Sequence, residues 1–292
     1  MKEIDFFKLQ ASGNDFILVD KGKFLKNKNK NYFSDFAKRY CPRKIGAGAD
    51  GLLIVEAAKK DKFKMRIFNA DGSEARMCGN GARCASLWSF YFSRRAPLSS
   101  QRAKLDTKAG VVETELIDKI KSGKNFVSAR LKIKTTKPYG LKENIPLKVM
   151  GRKIKVNFIN TGVPHAVIFV EGLDKLDLEK IGPAIRFHRQ FQPQGANVDF
   201  VEQLAGDKIK IRTYERGVEA ETLACGTGAV ASAILFSLKK ESRKNNALKR
   251  IKVETKGGEV LKVNFRLTKK QAEDLWLEGK AHCIYQGKLA AG

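Results

Sequence analysis

The segment Cys78-Gly79-Asn80-Gly81-Ala82 returns 147 positions later as Cys225-Gly226-Thr227-Gly228-Ala229. Other pairs keep nearly that spacing in the same order. Ser12-Gly13 matches Thr161-Gly162 at 149, Gly48-Ala49-Asp50 matches Gly195-Ala196-Asn197 at 147, and Arg66 matches Arg212 at 146. Thr107-Lys108-Ala109-Gly110 matches Thr255-Lys256-Gly257-Gly258 at 148. A constant offset of about half the 292-residue length makes the chain a duplication, two domains of like fold.

Each half reads alike. In Phe63 to Asn69, Phe63, Met65 and Ile67 alternate with Lys64 and Arg66, the period of a half-buried strand. Similar strands are expected at Ile4 to Leu9, Phe16 to Asp20, Leu52 to Glu56, Val111 to Leu116, Lys153 to Phe158, Ala166 to Val170, Lys208 to Tyr214 and Val260 to Phe265. After each Cys-Gly-x-Gly follows a segment apolar nearly all round, Ala82 to Phe92 and Ala229 to Leu238, as befits a helix in the middle of a domain. The expected class is α/β (α+β): two pseudo-symmetric domains, each a curved, mostly antiparallel sheet around a central buried helix. The seam is expected near Arg130 to Pro138, and Lys239 to Lys252 is expected to be a solvated connection.

The two cysteines are chemically placed. A helix N-terminus offers unpaired N–H groups and a positive dipole end, which favour a thiolate and grip a carboxylate. Gly79, Gly81, Gly226 and Gly228 let the backbone approach closely. Two such thiols meeting a ligand from opposite faces suit a two-base inversion at an amino-acid α-carbon, one thiolate taking the proton while a thiol returns another. Converging helix N-termini would hold the carboxylate as carbanion charge develops. Five cysteines without a Cys-x-x-Cys pair, and only three histidines, give no disulfide framework and no zinc site.

Ser12 to Phe16, Phe68 to Glu74, Met77 to Cys84 and Tyr214 to Gly217 with Glu221 to Gly228 resemble the diaminopimelate epimerase family, and the resemblance extends from about Phe6 to Tyr285. It implies an isomerase without cofactor or metal that interconverts LL- and meso-2,6-diaminopimelate on the route to lysine and the peptidoglycan cross-link. It also implies a cytoplasmic homodimer. The catalytic pair would be Cys78 and Cys225, with His165 and Glu215 adjusting thiol protonation. Asn14, Asn69, Gly79, Asn80, Asn197, Glu215, Arg216, Gly226 and Thr227 would bind substrate. The implied domains are 1–131 joined by 281–292, and 132–280. Two positions depart from the family: Val163 replaces a substrate-contacting Asn, for which Asn160 is the expected substitute, and Gly51 stands where some members have Gln. Cys41, Cys84 and Cys283 have no counterpart in the other half and are assigned to packing.

Two other readings stay open. A two-thiol racemase of the proline racemase kind would share the two-base logic on a substrate with one carboxylate. The charge of +26 admits a nucleic-acid or anionic-surface binder. Its carriers are Lys21 to Lys30, Lys59 to Lys64 and Lys239 to Lys252, with Phe24 and Phe63 as stacking aromatics; broken by Asn, Asp and Glu, these runs fit a solvated lysine-rich surface better. No run of eighteen apolar residues and no signal-peptide pattern occurs, so a soluble cytoplasmic protein is expected.

Overall fold

The computed structural model describes residues 2–24, 28–59, 61–93, 101–123, 126–240, 247–268 and 271–291. The chain divides into two compact units, Met1–Ile133 with Gly279–Gly292, and Lys134–Glu278.

In the first unit, strand Lys2–Ala11 turns into Asn14–Asp20, which runs parallel to Gly51–Lys59; that strand pairs antiparallel with Lys62–Asn69. Lys62–Asn69 then lies parallel to Arg102–Thr107. The second unit repeats the scheme: Arg152–Asn160 leads to Pro164–Phe169, parallel to Asn197–Gln203, which pairs antiparallel with Lys208–Glu215, itself parallel to Ala247–Glu254. The repeat is visible in single interactions. Arg66 Nε lies 2.7 Å from Glu74 Oε1 in one unit, and Arg212 Nε lies 2.6 Å from Glu221 Oε1 in the other.

Helices Gly79–Tyr91 and Gly226–Lys240 form the middle of their units, each packed on strands of its own sheet. Asn80 through Ser89 and Gly228 through Ser237 are buried without interruption. Small residues make this possible, and in the first helix the hydroxyls of Ser86 and Ser89 donate back to the carbonyls of Ala82 and Ser86 at 2.7 and 2.9 Å. Both helices begin at the glycines, earlier than the apolar run suggests, because Ala82 N–H donates to Cys78 O and Ala229 N–H to Cys225 O, each at 2.9 Å.

A second helix covers the other face of each sheet. Lys30–Tyr40 buries Phe33, Phe36 and Ala37, and Leu178–Arg186 buries Leu178, Gly182 and Ile185. Both sit in the crossover between parallel strands, a connection that must span the sheet.

The expected connection from Lys239 to Lys252 is corrected. Lys239 and Lys240 end the helix, and Ala247–Glu254 is a strand with Ile251 and Val253 buried and Arg250 and Lys252 exposed on the alternate positions. Only 241–246 intervene, and these lie outside the described residues, as do 25–27 and 60 of the other lysine runs. Phe63 is not a stacking aromatic: it is buried with its ring edge-on to Trp88, centroids 6.4 Å apart. The side chain of Phe24 lies outside the described residues.

Candidate functional site

In the first unit, Cys78 occupies the N-cap of helix Gly79–Tyr91 with extended backbone, and its sulfur accepts from Gly81 N–H at 3.4 Å. The half-buried thiol points at Asn14 Oδ1, 3.6 Å away. Asn14 is held in that orientation because its Nδ2 donates to Asp50 Oδ2 at 2.7 Å. Asp50 belongs to a network in which Arg43 bridges Asp15 and Asp50, both at 2.7 Å, and Lys8 Nζ lies 2.7 Å from Asp15. Burial pushes the Asp15 carboxyl up, but hydrogen bonds from Arg43 and Lys8 outweigh it and hold the group well below the usual carboxylate range.

The other first-unit candidates are engaged with neighbours of their own. Asn80 is buried and its Oδ1 accepts from Arg83 Nη2 at 2.5 Å, the same nitrogen that donates to Ser12 Oγ at 2.7 Å. Asn69, at the end of its strand, donates through Nδ2 to Ser73 Oγ rather than to Cys78. At Gly51 a Cβ would stand 2.7 Å from the Phe68 carbonyl oxygen, so the Gln expected in some members has no room here.

In the second unit the sequence-selected residues converge. His165 stands opposite Asn197 in the parallel pair of strands, and both are buried. Asn197 Oδ1 accepts from Arg216 N–H at 2.7 Å, while Arg216 Nη1 donates to Gln194 O at 3.3 Å. Glu215 accepts from Thr222 Oγ1 at 2.9 Å, and Cys225 Sγ lies 3.4 Å from Thr227 Oγ1. Thr161, the repeat partner of Ser12, donates through Oγ1 to Thr227 O at 3.0 Å and so fastens the turn that carries Cys225. Asn160 is tied into its own turn, accepting from Gly162 N–H at 2.9 Å.

One residue was not anticipated. Asp199 has no exposed surface; its carboxylate meets His165 Nδ1 at 2.6 Å and accepts from Thr213 Oγ1 at 2.7 Å. At Cys225 the surroundings oppose the thiolate that a helix N-terminus favours. Burial pushes this thiol well above its ordinary value, and the nearby Glu215 and Asp199 carboxylates add to the shift, against weaker help from Thr227 and the Gly228 N–H. Glu215 is itself raised by burial, with Asp199 adding to it and the Thr222 hydroxyl opposing.

The remaining thiols pack. Cys41, Cys84 and Cys283 are buried, and burial pushes Cys41 up to about 12 and Cys283 to about 11. Among the described residues no group of three or more His, Cys, Asp and Glu is placed to hold a metal ion.

Solved structures define the fold class. A phenazine biosynthesis protein of the PhzF family from Bacillus anthracis superposes with a TM-score of 0.73 at 16% identity, covering 100% of both chains. A probable proline racemase from Agrobacterium radiobacter gives 0.69 at 14%, covering 99% of this chain and 93% of its own. The fold is that of the PhzF and proline racemase structures. Sequence is more specific: the profile described as diaminopimelate epimerase matches residues 6–127 and 157–278, one stretch in each unit. The diaminopimelate epimerase of Aquifex aeolicus is 40% identical, covering 98% of either chain, and that of Methanocella arvoryzae is 38% identical over 99% of this chain and 98% of its own. The chain belongs to the diaminopimelate epimerase family, whose members are isomerases.

Proposed function

We propose that this chain interconverts LL- and meso-2,6-diaminopimelate without pyridoxal phosphate or metal, in the biosynthesis of lysine and peptidoglycan precursors. Cys78 and Cys225 are its acid–base pair. The observation that carries the reading is the repeated thiol: each unit seats a cysteine immediately before its buried helix, its carbonyl accepting the N–H of the fourth residue on, Ala82 or Ala229.

In one direction the Cys78 thiolate takes the α-proton and becomes a thiol, the electron pair passes to the α-carbon beside the carboxylate, and the Cys225 thiol returns its proton to the other face and becomes a thiolate. The reverse direction exchanges the roles. The raised Cys225 suits the proton-giving role. Glu215 and His165 bear on the protonation of that thiol. Asn14, Asn69, Gly79, Asn80, Asn197, Glu215, Arg216, Gly226 and Thr227 are the proposed substrate-binding set: guanidinium and helix N–H groups for carboxylates, carboxylate and amides for the ammonium ends. A homodimer and a cytoplasmic location complete the proposal; among the described residues no helix is long and apolar enough to cross a membrane.

The test is incubation with LL-diaminopimelate in deuterated water without added pyridoxal phosphate or metal. Meso product carrying one solvent deuterium at one α-carbon is expected, absent from Cys78→Ala and Cys225→Ala. Full epimerisation by either alanine variant, or a requirement for pyridoxal phosphate, overturns it. Turnover of proline under the same conditions would favour the racemase alternative.

A further inference from the structure

Asp199 is a buried ionisable group that the two-thiol chemistry leaves without a task, and the hydrogen bonds around it have only one consistent polarity. Arg216 offers a main-chain N–H, which can only donate, so the atom of Asn197 it meets at 2.7 Å is the carbonyl Oδ1. The other amide atom, Nδ2, then faces His165 Nε2 at 3.4 Å. An amide nitrogen donates and does not accept, so Nε2 must be the bare nitrogen of the ring. The ring hydrogen is therefore on Nδ1, directed at Asp199 Oδ2 2.6 Å away, and the Thr213 hydroxyl donates to Oδ1. Each link fixes the next, beginning from a peptide N–H that cannot reverse and ending on a carboxylate that accepts twice.

We propose that Asp199 is a positioning residue, holding His165 as its neutral Nδ1–H tautomer so that the Asn197 amide and the main chain at Arg216 are fixed in one orientation. The inference rests on the reading above that Asn197 and Arg216 hold substrate. It assigns His165 a task different from carrying a proton: an imidazolium would present Nε2–H to the Asn197 amide, force that amide to turn over, and leave Arg216 N–H facing a second donor.

The device belongs to one unit. At the repeat-related glycines, a Cβ on Gly228 would lie 2.3 Å from Asp199 Oδ1, whereas one on Gly81 would meet Leu53 Cδ2 at 3.1 Å and Phe16 Cζ at 3.6 Å. The turn carrying Cys225 thus packs directly on the carboxylate, and the turn carrying Cys78 packs on hydrocarbon.

Only three histidines are present, so the ring nitrogens of the intact, 15N-labelled protein are readily resolved by long-range nitrogen–proton correlation. The expected result is His165, assigned by its loss in His165→Gln, as a neutral ring with hydrogen on Nδ1. An imidazolium, or hydrogen on Nε2, in the wild-type spectrum overturns the proposal whether or not any variant folds. Asp199→Asn is expected to lose the fixed tautomer and to raise KM for diaminopimelate about tenfold or more while lowering kcat less, since it loosens groups that hold substrate. An unchanged tautomer and unchanged KM in this variant also overturn it. If the wild type fails to epimerise diaminopimelate but shows the Nδ1–H ring, the proposed reaction falls and the tautomer assignment stands; epimerisation with the other ring form sinks the role of Asp199 alone.

Discussion

Gly228 and Asp199 share one small volume: the carboxylate of Asp199 fills the place where a side chain on residue 228 would begin, 2.3 Å from its Cβ position. Gly228→Ala is therefore expected to destabilise the protein by about 1–3 kcal/mol, the usual cost of forcing an atom into a packed core. Gly81→Ala meets nothing closer than the flexible end of Leu53, at 3.1 Å, and should cost less than about 1 kcal/mol. Urea unfolding of both variants against the parent checks the difference; equal losses would contradict it.

The two proposed catalytic thiols differ in accessibility. Cys78 is half-buried, whereas Cys225 is 5% exposed with its thiolate disfavoured by burial and two carboxylates. Brief alkylation of the native protein at neutral pH, read by peptide mass spectrometry, is expected to label Cys78 first. Cys41, Cys84 and Cys283, buried and with their thiolates disfavoured, should label last.

Loss of either proposed base removes proton transfer on one face. Cys78→Ser and Cys225→Ser are each expected to lower kcat by about 10²–10⁴-fold, the range of a general acid or base, with smaller changes in KM. Single-turnover deuterium exchange would separate the faces, each variant losing wash-in preferentially from one stereoisomer.

Glu215 carries a cost that its proposed role explains. Its carboxyl is raised, first by burial, so its ionised form opposes folding: the stability associated with this group is present below the unfolded glutamate value and is lost as pH rises through the folded one. Glu215→Gln should therefore unfold at higher urea than the parent at pH 7.5 and show no such advantage at pH 4, while losing at least about tenfold in kcat/KM. A variant both active and unchanged in stability would contradict the assignment.

Asp15 has the opposite sign. Its depressed value means that its contribution to folding is present above the unfolded carboxyl value of about 3.9 and disappears as pH falls through the folded one. The stability gap between parent and Asp15→Asn is expected to be widest near neutrality and to shrink below about pH 3. Denaturant midpoints across that range provide the measurement.

The architecture was legible where it repeats. The constant offset gave two like units, and Arg66 and Arg212 proved to be more than alignment marks, each anchoring a glutamate in the same strand pair. The covering helices were harder to see. Lys30–Tyr40 hides Phe33, Phe36 and Ala37 among lysines, and Leu178–Arg186 contains Gly182 and Pro183, residues that argue against a helix. Missing them concealed the nature of strand Asn197–Gln203. The sequence alternates, Asn197 and Asp199 with Val198 and Phe200, so Asp199 reads as an outward position; with a helix on each face, however, the first five residues are all buried. The thiol motif was equally plain, and the resemblance had already placed Glu215 with it; Asp199, on strand Asn197–Gln203, comes from an earlier part of the chain, and no local pattern at the helix N-terminus reports it.

Strand Lys2–Ala11 is bordered on one side by Asn14–Asp20, its immediate successor, and on the other by residues from His282 to Ala291. Emergence from the ribosome and completion of the fold consequently run in opposite orders. Every residue of the second unit is made before the last strand of the first, so the later-made unit has its full sequence while the earlier one still exposes an open edge of backbone. For that interval the N-terminal strand is the segment most in need of protection from pairing with another chain, and its own distant end is what closes it.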